Sequence, residues 1–233
     1  MLSAHTVLLL FDVDGTLFSG KGVGSRAMTR AGRAVLGGAF SLDGIDFAGA
    51  LDWWIYEEAA RRMGHPNARE RHDDFRKAYL IELARELPQA DPKPIILPGV
   101  AALLDRLERW SGVTLGLVTG NYRAAVPLKF ESVGIPFNRF SVGAFADDAE
   151  TRAGLVKLAM NRWSAVGGSG DPSRTIVIGD TPRDVRCAQE NGCRCLAVAT
   201  GRDSVADLVR AGADAVIRDF TDPEPLVRWL EDS

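Results

Sequence analysis

The chain has 233 residues, 46% hydrophobic and 25% charged, with a formal net charge of −3, which is typical of a globular protein with one large domain or a core domain carrying an insertion. This charge gives no general attraction to nucleic acid or acidic membranes, and the apolar runs are too short to span a bilayer. Because the amino terminus has no signal-peptide pattern, we expect a cytoplasmic protein.

The first predicted element lies in VLLLFDVDGTL, residues 7–17. Its apolar run is typical of a buried strand in a parallel sheet. Asp12 and Asp14 follow at the carboxyl end of this strand, where side chains two residues apart project to the same side. Because burying an unpaired carboxylate is costly, the pair predicts a functional site. Gly15 permits the turn that follows.

A nucleotide-binding loop is an alternative interpretation of the same region. Gly15, Gly20 and Lys21 have the spacing G-x-x-x-x-G-K after a strand. The next residue, however, is Gly22, where such loops have a hydroxyl that binds Mg²⁺. The nearby carboxylates would also repel the phosphates, so this interpretation is the weaker one.

A helical segment follows, and strands and helices then alternate. Residues 25–37, 51–64 and 70–87 have apolar side chains at helical spacing, and the prolines of residues 88–99 end the last helix. We predict a small all-helical domain over residues 19–92, inserted after strand 1. The remaining residues, 1–18 and 93–233, form the predicted α/β core.

The core is predicted to be a Rossmann-like open parallel sheet with helices on both faces. The strand-like runs after the insertion are residues 113–119, 174–180, 195–200 and 214–219. The helix-like segments are residues 100–110, 124–134, 152–163, 182–192 and 204–212.

Ligands of such sheets bind beyond the carboxyl ends of the strands. Thr119, Gly120 and Asn121 follow one strand, and their hydroxyl and backbone N–H groups suit a phosphoryl group or a helix cap. Asp180 follows another strand and is a candidate metal ligand. Asp184 is either a ligand, a neighbour of the ligands or a residue of the first helical turn, where negative charge is favourable.

Three motifs resemble those of one enzyme family. DVDGTL, GLVTGN and GDTPRDV are similar to the first, second and fourth motifs of the haloacid dehalogenase-like hydrolase superfamily, in the same order over almost the whole chain. The helical insertion resembles the cap domain that some members carry after the first motif. The phosphoglycolate phosphatase-like members are the most similar.

The resemblance implies a Mg²⁺-dependent phosphatase acting on a small phosphomonoester, either phosphoglycolate-like or a sugar phosphate. Asp12 would be the nucleophile and Asp14 the general acid and base. The implied Mg²⁺ ligands are the carboxylates of Asp12, Asp180 and Asp184 and the backbone carbonyl of Asp14. The expected partner is this small molecule, with no nucleic acid and no membrane, and the protein is expected as a monomer or homodimer.

The third motif departs from the family pattern, which has a lysine followed by proline. DDAETRAGL places Arg152 there, and Lys129 is the other candidate for the cation beside the nucleophile. We favour Lys129 and retain Arg152. In the cap, Lys21, Asp52 and Trp53 are candidate substrate contacts, although an aromatic residue at such a place more often packs in the cap core.

Two other functions remain open from the sequence. A phosphomutase of the same architecture would require a sugar bisphosphate and release little phosphate. A non-catalytic phosphate-binding module would bind without turnover, but the complete set of acids disfavours it. The cysteines, Cys187, Cys193 and Cys195, are predicted to be reduced structural thiols, and the three histidines to be surface residues: His5, His65 and His72.

Overall fold

The structure is a computed structural model that describes residues 6–231. The strands within this range are β1 (Val7–Phe11), β2 (Phe18–Ser19), β3 (Ile95–Ile96), β4 (Val113–Val118), β5 (Val142–Ala144), β6 (Thr175–Gly179), β7 (Arg194–Val198) and β8 (Ala215–Ile217). Six of them form a parallel sheet in the order β5-β4-β1-β6-β7-β8.

Helices connect these strands and cover both faces of the sheet. Those within the described range are α1 (Val23–Leu36), α2 (Asp52–Arg62), α3 (His72–Glu86), α4 (Val100–Leu107), α5 (Ala125–Glu131), α6 (Arg152–Ala165), α7 (Pro182–Glu190), α8 (Val205–Arg210) and α9 (Glu224–Glu231). The predicted Rossmann-like α/β class is confirmed. None of the helices between residues 6 and 231 is long and apolar enough to cross a membrane.

The arrangement of the three central strands brings the polar residues that follow them close together. β1 lies between β4 and β6, and its last residue, Phe11, pairs with a residue near the end of each neighbour. The β1 side chains from Leu8 to Phe11 are fully buried, as expected for a central parallel strand. Because the three strands run in register, Asp12, Thr119 and Asp180 leave the sheet at one edge.

The segment between β2 and β3 contains α1, α2 and α3, and α1 packs along α3. Its core is aromatic: the rings of Tyr56 and Phe75 stack with their centroids 4.0 Å apart. β2 and β3 pair antiparallel, Phe18 opposite Ile96, and join the two ends of the segment. The predicted domain limits around residues 19–92 stay a prediction.

The prediction for the histidines was wrong at one position. His65 is exposed, and His5 lies outside the described residues. His72 is half-buried, its Nε2 lies 2.7 Å from Tyr122 Oη, and burial lowers its pKa.

The cysteines are all buried and free of disulfides, and burial raises the pKa of Cys187 and of Cys193 to about 12.

Candidate active site

Three buried carboxylates meet at the carboxyl edge of the sheet. Asp12, Asp180 and Asp184 each offer an oxygen, and these oxygens lie within 4.8 Å of one another. Burial raises the pKa of Asp12 to about 6, against the opposing charge of Arg152. The pKa of Asp180 is raised well above its usual range, mainly by burial and, to a lesser extent, by the negative charge of Asp12. Thr16 Oγ1 donates a hydrogen bond of 2.9 Å to Asp180.

Arg152 is the cation that faces this cluster. It is the first residue of α6, whose preceding residue, Thr151, accepts a hydrogen bond from the N–H of Gly154 and so fixes the start of the helix. Its Nη2 lies 3.0 Å from Asp12 Oδ1, and its Nε donates to Asp184 Oδ1 at 3.0 Å. The fork of donors thus bridges two of the three acids.

Asp184 has partners on both carboxylate oxygens. Oδ1 accepts from Arg152, while Oδ2 accepts from the N–H of Thr181 at 3.0 Å and from its hydroxyl at 2.6 Å. The hydrogen bond from the N–H of Thr181 to Asp184 is part of a capping box at the start of α7. The helix start and Arg152 therefore account for the position of this side chain.

Lys129 faces the second acid of the first motif. Its side chain is buried, and Nζ lies 2.5 Å from Asp14 Oδ2 and donates to Asn121 Oδ1. The Asn121 amide in turn donates to Asp14 Oδ2 at 2.7 Å and to Thr119 Oγ1 at 2.8 Å. The sequence favours Lys129 as the cation beside Asp12, but in the structure Arg152 contacts Asp12 and Lys129 contacts Asp14.

These side chains line a cavity of about 350 Å³ between the sheet edge and the helical segment. The predicted site residues around it are Asp12, Asp14, Lys21, Asp52, Thr119, Gly120, Asn121, Lys129, Arg152 and Asp180. Two predicted residues are not among the lining. Asp184 lies behind Arg152, and Trp53 faces the guanidinium of Arg69, 5.9 Å from its ring centroid.

Asp52 connects the helical segment to the loop after β4. Its N–H donates to the carbonyl of Gly120 at 2.7 Å, and its Oδ2 accepts from the N–H of Tyr122 at 2.8 Å. A Cβ at position 120 would lie 1.9 Å from the carbonyl oxygen of Ala50, so the close approach requires glycine. Burial raises the pKa of Asp52 to about 7. One oxygen of this predicted substrate contact is therefore engaged by the protein itself.

Comparison with known proteins decides the family. A family model for the haloacid dehalogenase-like hydrolases matches residues 7–192. The chain belongs to this family. It is 26% identical over 216 residues to a phosphoglycolate phosphatase from Synechococcus elongatus, covering 92% of this chain and 93% of that protein.

Solved structures are similar to this haloacid dehalogenase-like hydrolase in fold. CbbY from Rhodobacter sphaeroides, determined in complex with phosphate, is 23% identical with a TM-score of 0.72, over 93% of this chain and 96% of that one. A hydrolase from Pseudomonas syringae is 20% identical with a TM-score of 0.71, over 97% and 99%. The family predicted from the three motifs is confirmed, and the protein is an enzyme of the hydrolase class.

The acid cluster of this hydrolase fits a hard divalent cation. Its donors are all carboxylate oxygens, the ligand type that such ions prefer. Gly15 has φ +85°, and a Cβ there would lie 2.3 Å from Asp180 Oδ2, so the turn packs its backbone directly against this carboxylate. Because one guanidinium faces three buried acids, a dication would relieve the remaining repulsion.

Three residues of the site are not predicted from the sequence. Thr16, which donates a hydrogen bond to Asp180, belongs to the DVDGTL motif, and its position after a strand is the available signal. Tyr79, in α3, and Arg202, in the loop after β7, had none, because each reaches the cavity only through tertiary packing. Arg202 Nη2 lies 2.6 Å from the carboxylate of Asp46 in the helical segment.

Proposed function

We propose that this hydrolase is a Mg²⁺-dependent phosphatase that cleaves a small phosphomonoester through a phosphorylated Asp12. The observation that carries the proposal is the contact between Asp12 and the guanidinium of Arg152, with Asp14 two residues along the chain in the same cavity. A nucleophilic carboxylate needs a cation to approach a phosphate dianion, and a second acid is needed to protonate the leaving oxygen.

In the first step, an Asp12 carboxylate oxygen bonds to phosphorus while the bond from phosphorus to the ester oxygen breaks. Asp14 gives its proton to that oxygen, which leaves as an alcohol. In the second step, Asp14 takes a proton from water, whose oxygen attacks the same phosphorus. Asp12 is released, inorganic phosphate leaves, and Asp14 is again protonated for the next turnover.

The loop after β4 is proposed to hold the phosphoryl oxygens. Thr119 offers a hydroxyl and Gly120 a backbone N–H at the cavity wall. Asn121 orients the Thr119 hydroxyl through its amide and also contacts Asp14. Lys129, 2.5 Å from Asp14 Oδ2, fixes the orientation of that carboxylate and adds positive charge close to the transferred group.

Asp12 and Asp180 are the proposed Mg²⁺ ligands, together with the backbone carbonyl of Asp14. When bound, Mg²⁺ would neutralise charge on the carboxylates and on the transferred phosphoryl group. We propose that Asp184 acts mainly by holding Arg152, since both of its oxygens have protein partners. The cytoplasmic location and the monomeric or homodimeric state stay predictions.

The test is Mg²⁺-dependent phosphate release from 4-nitrophenyl phosphate by the wild type and by Asp12→Asn. We expect the variant to lose at least about a thousandfold in kcat, because the amide is a poor nucleophile. Asp105→Asn is the matched control, since Asp105 pairs with Arg139 on the surface. Wild-type turnover by Asp12→Asn would overturn the proposal, and turnover only with a sugar bisphosphate would favour a mutase.

A further inference from the structure

The cavity has an apolar wall opposite the carboxylate cluster. Residues of β2, α1, α2 and the loop before α2 form it: Phe18, Met28, Leu42, Phe47 and Ile55. All but one of these side chains are buried in the helical segment, and Phe47 is 44% exposed at the cavity mouth. Apolar walls with a few placed polar groups are typical of sites for uncharged ligand groups.

Tyr79 places one neutral polar group on the same side. The residue is 1% exposed and lines the cavity, and among residues 6–231 its hydroxyl has no hydrogen-bond partner. A Cβ on Gly24 would lie 3.7 Å from Tyr79 Oη and 3.9 Å from Lys129 Nζ, so both atoms face one space. Because this hydroxyl lines the cavity and has no protein partner among the described residues, it is free to form a hydrogen bond with a ligand atom there.

The buried charges of the cavity leave no cation for a second anionic group. Asp12, Asp52 and Asp180 are buried acids, and Lys129 and Arg152 are the buried bases among the described lining residues. Both bases already contact carboxylates. A ligand carboxylate in this space would therefore meet acids, apolar side chains and a lysine whose charge is already paired with Asp14.

The remaining cations of the lining lie at the mouth. Lys21 and Arg202 are both exposed, and Arg202 is paired with Asp46 at 2.6 Å. Water screens such charges, so they attract a buried anionic group only weakly.

From this wall and these charges, and resting on the proposed phosphatase function, we infer that the substrate is the phosphomonoester of a compact, uncharged and largely apolar alcohol. The alcohol packs on the apolar wall, with Tyr79 Oη as its polar contact, while the phosphoryl group lies at Asp12. Esters whose alcohol carries a carboxylate or a second phosphate are poorer substrates, because the wall offers that charge no free cation.

The test compares benzyl phosphate with 4-carboxybenzyl phosphate. The carboxylate is remote from the reacting bond, so the two esters have similar intrinsic reactivity and differ in the charge to be accommodated. We expect kcat/KM to be at least about tenfold higher for benzyl phosphate. Equal values, or a preference for the carboxylated ester, would overturn the inference.

Variants of the wall residues test whether the wall causes the preference for benzyl phosphate over 4-carboxybenzyl phosphate. Met28→Lys places a cation at a buried position of the wall on a side chain of similar length, and it should narrow the ratio of kcat/KM values for the two esters severalfold, whereas Met28→Leu should keep the ratio. Tyr79→Phe should lower kcat/KM for 2-hydroxyethyl phosphate more than for ethyl phosphate. An unchanged ratio in Met28→Lys, with the fold verified by circular dichroism, would contradict the assignment of the wall.

A binding measurement distinguishes failure of this inference from failure of the proposed phosphatase function. Calorimetry with benzylphosphonate and its 4-carboxy derivative, each with Mg²⁺, measures the preference without turnover. Tighter binding of benzylphosphonate than of its 4-carboxy derivative, with no hydrolysis of any ester, would refute the phosphatase proposal and support the site described here. Binding of neither compound would overturn the inference.

Discussion

Arg152 Nη2 lies 3.0 Å from Asp12 Oδ1, and the same guanidinium donates through Nη1 to the carbonyl of Gly49 at 3.2 Å. One side chain thus connects the proposed nucleophile to the loop before α2. Since Nε also holds Asp184, three separate segments meet at one planar group. A lysine has a single nitrogen and could not make these contacts together.

We expect Arg152→Lys to lower kcat by about tenfold to a hundredfold, because the charge remains but the orientation of Asp12 is lost. Steady-state kinetics with 4-nitrophenyl phosphate measure the effect. Arg210→Lys is the control, since Arg210 is an exposed arginine of α8 that pairs with Asp207. A kcat equal to that of the wild type would show that a point charge suffices.

Lys129→Met is expected to lower kcat by about a hundredfold, since it removes the cation that contacts Asp14 and Asn121 while keeping an unbranched side chain. Kinetics and thermal unfolding together separate catalysis from stability. The control is Lys157→Met, at an exposed position of α6. Loss of stability without loss of kcat in the folded fraction would contradict a role in the reaction.

Asp52 makes stability depend on pH. Burial raises its folded-state pKa from 3.8 to about 7, so the folded state binds this proton more tightly than the unfolded state. Ionisation of the buried carboxyl therefore lowers the free energy of unfolding. This loss is absent below the unfolded-state pKa, grows as the pH rises from about 4 to about 7, and is then constant at about a few kcal/mol at most.

Asp52→Asn keeps an acceptor for the N–H of Tyr122 without the charge. We expect the variant to gain stability relative to the wild type as the pH rises from 4 to 7. Urea unfolding at pH 4.5 and 7.5 measures the difference in the free energy of unfolding between the variant and the wild type. A pH-independent difference would mean that Asp52 keeps an ordinary pKa.

Metal binding is expected to raise the melting temperature of the protein. A divalent ion bound by Asp12 and Asp180 relieves the repulsion of these acids only in the folded state, so excess Mg²⁺ should stabilise the fold and EDTA should reverse the effect. Asp180→Asn should abolish the Mg²⁺-dependent rise. Differential scanning fluorimetry is the measurement, and an equal rise in the variant would place the ion elsewhere.

The sequence predicts those residues of the site that directly follow a strand. Asp12 and Asp180 follow buried strands, and the parallel topology brings such ends to one edge without further information. The short strands were not predictable in this way. Two residues of β2 or three of β5 are too few to show a period.

The side chains that depend on tertiary packing were predicted less well. Arg152 and Lys129 were both candidates, but the orientation of α5 and α6 decides which one contacts Asp12. Trp53 lies on the face of α2 away from the cavity, next to Arg69. Tyr79 reaches the cavity only because α3 packs along α1, which no short motif encodes.

The most direct measurement of the central claim is detection of the phosphorylated enzyme. The protein with Mg²⁺ and 4-nitrophenyl phosphate is quenched in acid within milliseconds, digested and analysed by mass spectrometry. We predict one added phosphoryl group on the peptide containing Asp12, absent from Asp12→Asn and present in Asp105→Asn. Rapid phosphate release by the wild type with no phosphorylated peptide at any quench time, or with the label on another residue, would contradict the account.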